Sequence, residues 1–208
     1  MRPIIFLLFL GLFTQCDFEN ENVDSLRIPD STETVQNTDT VNSELTSFIP
    51  EGYEILAFEK GDLNQDNLDD YLLALNQVEE DTVMNIDNGP ARPLLILLRN
   101  QQNTLNELYR NDSIIYCYGC GGIFGDPFAG MEITDKGFIV YHYGGSAWRW
   151  THDLFFSFQK ENKNYQLDSI QSASFHAGDI DSTYELNTDY QKDIGTIYFD
   201  QFNVYKQN

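Results

Sequence analysis

Apolar residues in this chain come in short bursts separated by polar punctuation, which is the rhythm of strands. Residues 54–59 and 71–75 are apolar runs of strand length on either side of a polar stretch. Residues 94–98, Leu94-Leu-Ile-Leu-Leu98, are continuously apolar, as expected of a strand buried on both faces. Pro93 favours an extended lead into that run. Residues 105–109 read as a strand or a short helical turn. Residues 131–134 and 138–143 read as a hairpin around Lys136 and Gly137. Longer runs follow at 148–158 and 165–175, and two last strands are expected near 183–186 and 196–199. Residues 76–93 are polar and turn-rich, and read as a long surface loop. Strand-sized runs at roughly ten-residue spacing predict a mostly β protein of one domain, a β-sandwich or curled antiparallel sheet. No repeat period is present, which argues against a propeller.

The amino terminus breaks this rhythm. Residues 1–13 hold one positive charge followed by an apolar run too short to span a bilayer as a helix. The run stops at Thr14-Gln15-Cys16. This arrangement resembles a bacterial lipoprotein signal. The resemblance implies that residues 1–15 are a signal peptide, that Cys16 carries the lipids, and that the protein meets the membrane through that anchor. The expected address is the bacterial cell envelope, as an outer-membrane or cell-surface lipoprotein. Residues 16–47 are Asp, Glu, Asn, Ser and Thr with scattered apolar residues and no sustained period, which reads as a disordered acidic tether. The β-rich domain is then expected over 48–208.

Composition sharpens the picture. Phe (15) and Tyr (12) dominate the aromatics, as suits strands. The net charge of −21 argues against nucleic acid and anionic membrane surfaces, and favours cations and basic partners.

The polar stretch between the first two strands carries the clearest chemistry. In Asp62-Leu-Asn-Gln-Asp-Asn-Leu-Asp-Asp70, oxygen-bearing side chains recur at Asp62, Asn64 and Asp66 and the series closes at Asp70. Calcium takes six to eight hard oxygens, and a tight loop can offer them at alternate positions. The backbone carbonyl of Leu68 would complete the set, with the Leu68 side chain turned inward. Asn67 stands where Gly is usual, and Asn tolerates the left-handed backbone such a turn needs. Leu73 occupies the place of the bidentate Glu of an EF-hand, and the flanks are strands. The alternative is an Asx-rich turn that binds nothing. Gly61 to Asp70 resembles the strand–calcium loop–strand motif of FG-GAP and VCBS-type repeats, in a single copy.

Two further clusters stand out. Cys117 and Cys120 flank Gly119 in a glycine-rich stretch, and outside the cytoplasm they are expected to form a local disulfide. Gly121-Gly122 starts no helix to activate a redox thiol, and the histidines match no common zinc spacing. In residues 142–153, strand alternation puts Trp148, Trp150 and His152 on one face and Arg149 on the other. These residues either fill the core or form a ligand face for a glycan or protein. A hydrolase site built from His142 or His152, Ser146 and Asp153 can also be drawn, without the strand–turn–helix context of a nucleophile elbow. Together these motifs look like a group of uncharacterised bacterial secreted proteins and lipoproteins over roughly residues 50–202. That likeness implies a shared fold and transfers no catalytic residue. The expected function is a calcium-stabilised binding or envelope-structural module, with an extracytoplasmic hydrolase as the alternative.

Overall fold

The computed structural model describes residues 43–82 and 89–206; the signal-like segment, Cys16 and most of the expected tether lie outside the described residues. Within them the chain is a single-domain β-sandwich. Strands β1 (Tyr53–Gly61), β2 (Asp70–Gln77), β3 (Leu94–Arg99) and β4 (Leu105–Asn111) form one antiparallel sheet in sequence order. Strands β5 (Phe128–Ile133), β6 (Gly137–Gly145), β7 (Trp148–Gln159), β8 (Asn164–His176) and β9 (Glu185–Tyr190) form the second, again in sequence order. No helix among the described residues is long and apolar enough to cross a membrane.

Alternation along each strand decides which side chains meet. Leu72, Ala74, Leu94 and Ile96 of the first sheet face Phe138, Val140, Leu154, Phe156, Tyr165 and Leu167 of the second, and together they form the main core. Phe138 stacks on Phe156 with ring centroids 5.1 Å apart, and Phe199 meets both rings edge-on.

The other face of β2 and β3 is also buried. Tyr71, Leu73, Leu75, Leu95 and Leu97 form a second cluster beneath Leu45, Phe48 and Ile49. The packed domain therefore reaches back into the stretch whose composition suggested a tether, because Leu45 is fully buried and Glu44 bonds both Tyr71 and Arg99. Apolar residues at positions 45, 48 and 49 have the spacing of one helical face, and the chain there makes a short helical turn ending at Phe48.

The carboxy-terminal expectation needs correcting. Residues 180–183 form a helical turn, and the strand begins only at Glu185. Residues 196–199 form no strand. Tyr198 makes a single bridge to Gln166, and a 3₁₀ turn then drives Phe199 and Phe202 into the sandwich. The Asn111 amide donates to the carbonyls of both residues and fixes that plug.

Leu45→Ala is expected to lower stability by about 2–5 kcal/mol in urea denaturation, the ordinary cost of a buried leucine. A loss within ~0.5 kcal/mol, typical of a surface site, would mean that the segment before Tyr53 is not part of the domain.

Candidate functional site

The β1–β2 turn is held by its own backbone. Asp62 accepts hydrogen bonds from the N–H groups of Asn64 (3.2 Å), Asp66 (3.1 Å) and Asn67 (2.8 Å). Asp66 accepts from the Leu68 N–H at 2.9 Å. Asn67 has φ +65°, the left-handed backbone expected of it, and Gln65 has φ +63°. Asp70 is fully buried and accepts from the N–H groups of Leu63 (3.0 Å) and Arg99 (2.8 Å). These bonds aim three carboxylates at a common centre: ligand atoms of Asp62, Asp66 and Asp70 lie within 4.8 Å of one another. Burial raises the Asp70 pKa to about 6, the two N–H donors oppose that rise, and the charges of Asp66 and Asp62 add to it. Hard oxygens converging on one point are the donor set a divalent cation such as calcium takes.

The other expected ligands are placed differently. Asn64 belongs to the same network, donating to Asp66 through its amide nitrogen and accepting the Asp66 N–H on its oxygen. Leu68 is half-buried, and the inward anchor is Leu63, whose side chain enters the main core. The Leu63 carbonyl accepts from the buried Tyr165 hydroxyl at 3.1 Å, which ties the loop to the second sheet. Asp69 points away and pairs with Lys60 at 2.8 Å.

Cys117 and Cys120 are joined by a disulfide across a 3₁₀ turn, with Cα atoms 5.2 Å apart. Beside them lies a charge network that sequence reading missed. Arg92 is fully buried and its Nε donates to Glu80 at 3.0 Å, while Nη1 and Nη2 donate to Asp126 at 2.6 and 2.8 Å. Nη1 also reaches the Tyr116 carbonyl. Burial disfavours the guanidinium charge, but the hydrogen bonds to Asp126 and Glu80 outweigh it and the pKa is raised. A lone basic residue in an otherwise acidic loop was the available signal. The loop expected to lie on the surface is thus pinned through Glu80 and Arg92 to the glycine-rich stretch.

The tryptophan–histidine face splits. Trp148 is 56% exposed and its ring edge meets His176. Trp150 is half-buried against Gly144, where a Cβ would come within 2.5 Å of the indole. Arg149 occupies the opposite face, donating to the Tyr143 hydroxyl at 2.6 Å and covering the Phe124 ring. His142 is buried, and its Nδ1 lies 3.0 Å from the His152 carbonyl. A carbonyl only accepts, so Nδ1 carries the proton, and Nε2 is left buried without a partner among the described residues. Burial lowers the His142 pKa to about 4 and also lowers that of His152.

The hydrolase arrangement is not assembled. Asp153 alternates with His152 along β7 and so faces away from both rings, and Ser146 sits in the exposed β6–β7 turn. Instead, Trp150 and His152 line a cleft of about 550 Å³ with Tyr116, Ser172, Ser174, Glu185 and Asn187.

Comparison with known protein families, curated proteins and solved structures finds no match to this chain.

Arg92→Met leaves two carboxylates without their cation and is expected to cost about 3–5 kcal/mol in urea denaturation. A near-neutral outcome would mean that Glu80 and Asp126 do not depend on it.

The His142 ring should stay neutral in the folded protein down to about pH 4, where an unfolded histidine protonates near 6.5. Its contribution to stability is therefore complete above pH 6.5 and is lost as pH falls from there toward 4. Asp153, raised to about 6 by burial despite the His142 N–H, works in the opposite sense, so the ring must be followed by its own NMR shifts. A His142 midpoint near 6.5 would contradict its burial.

Proposed function

We propose that this chain is a lipid-anchored extracytoplasmic protein whose single β-sandwich is ordered by calcium and serves as a binding or envelope-structural module. The observation that carries the reading is the meeting of Asp62, Asp66 and Asp70 within 4.8 Å at the turn joining β1 to β2. Three carboxylates that close repel one another, by about 1 kcal/mol per pair at 4 Å in water and about 4 kcal/mol near a protein surface. The backbone N–H groups offset part of that repulsion, and a dication removes it. Support for the address comes from the sequence alone: the apolar run ending at Cys16 and the acidic stretch behind it.

The ion has a structural task in this reading. Asp70 begins β2, and its carboxylate also holds the end of β3 through the Arg99 N–H. The Leu63 carbonyl holds Tyr165 of β8. Neutralising the loop therefore tightens three strands in two sheets. An open cleft, without a hydrogen-bonded nucleophile and base among the described residues, fits a binding module better than a hydrolase.

Calcium at one to ten times its Kd should add about 0.4–1.4 kcal/mol by linkage. That corresponds to a rise in Tm of about 1–5 °C for a domain of this size. Melting the full chain in EDTA and in calcium reads this directly. Asp66→Asn should abolish the shift, since Asp66 is exposed and its loss leaves the core intact. Identical midpoints in EDTA and calcium would refute the metal.

A further inference from the structure

The strand register builds two cross-strand rows on the inner face of the second sheet, at the end away from the β1–β2 loop. Trp150 is directly opposite Ser174, and Ser174 is opposite Glu185. His152 is opposite Ser172, and Ser172 is opposite Asn187. Directly opposed residues share a face, so all six project from the same side of the sheet. Small serines in the middle strand leave a trough. Trp150 and His152, with Tyr116 above them, make its aromatic wall, and Glu185 and Asn187 make its polar wall.

From these rows we infer that the trough is a saccharide-binding site for a neutral, short oligosaccharide. The inference rests on the reading of this chain as a binding module and is independent of calcium. Its volume of about 550 Å³ falls within the roughly 300–1,000 Å³ of small-molecule sites. A pyranose has an apolar C–H face and a rim of hydroxyls that both donate and accept. The indole, laid against the strand by Gly144, offers a flat apolar surface for the first. Ser172, Ser174, Asn187 and Glu185 offer hydroxyl, amide and carboxylate partners for the second. His152 lines the trough with its ring, while its Nε2 is buried and has no partner among the described residues. Glu185 and the net charge of −21 disfavour anionic sugars. An extended peptide would pair with the edge that β9 leaves unpaired among the described residues, whereas the trough runs across the inner face of β7, β8 and β9 and offers no backbone ladder.

The trough and the β1–β2 loop lie apart. Tyr165, which holds the loop, and Ser172, which floors the trough, are both on β8, about 23 Å from each other along an extended strand.

The test is isothermal titration of the full chain with neutral trisaccharides (cellotriose, chitotriose, maltotriose and mannotriose) and with anionic trigalacturonate as a contrast. At least one neutral sugar should bind at micromolar to millimolar Kd, and trigalacturonate should not. Asn187→Ala and Glu185→Ala sit on an exposed edge strand and should each weaken binding about tenfold. Ser172→Tyr should fill the floor and abolish it, with an unchanged circular dichroism spectrum as the folding control. Binding of none of the neutral sugars, or binding that all three variants leave unchanged, would overturn the site. The melting experiment in EDTA and calcium separates the two readings, because absence of sugar binding beside an intact calcium-dependent Tm shift removes only this inference.

Discussion

Strands β2 and β3 have no free face, and most of the architecture follows from that. A run such as Leu94-Leu-Ile-Leu-Leu98 removes apolar surface from water on both sides of its sheet, at about 25 cal/mol per Å². One side is covered by the second sheet through Phe138, Phe156 and Leu167. The other must be covered by something else, and the chain uses its own lead-in, Leu45, Phe48 and Ile49. Without that cover the outer cluster around Leu73 and Leu95 would be a hydrophobic patch on an otherwise charged surface. The domain boundary is therefore set by what the central strands need covered.

Charge is distributed with equal economy. Against 33 acidic residues stand only 12 lysines and arginines, and two of the arginines act as internal fasteners. Arg92 gathers Glu80 and Asp126 around the disulfide turn, and Arg99 links Glu44, the Asp69 carbonyl and the end of β3. Each joins segments distant in sequence through hydrogen bonds with fixed geometry, which is what the planar guanidinium supplies and an ammonium does not. The carboxylates at Asp62, Asp66 and Asp70 have no such arginine among the described residues, although their ligand atoms lie within 4.8 Å of one another.

Much of this was legible in the chain. The β1–β2 hairpin, the turn at 62–69, the left-handed Asn67 and the doubly buried β3 all follow from local pattern, because period and turn chemistry act over a few residues. The disulfide turn was legible for the same reason. What escaped were features set by distant partners. Residues 43–47 look like tether until Leu45 is seen against β2 and β3. Phe199 looks like strand until Asn111 captures its carbonyl. Arg92 lies in a loop and finds its partners in a 3₁₀ turn before it and in Asp126 after it. The trough depends on the register of β7, β8 and β9, and a shift of one residue would have turned Ser172 and Asn187 to the opposite face.

Strand β9 ends the second sheet, and its outer backbone groups have no neighbouring strand among the described residues. It is short, Glu185–Tyr190, it is bracketed by helical turns at Ile180–Thr183 and Gln191–Ile194, and it carries Glu185 and Asp189. Short length and like charges are the features that keep such edges from zippering with copies of themselves. A second copy brought alongside this strand would set Glu185 and Asp189 near charges of their own sign.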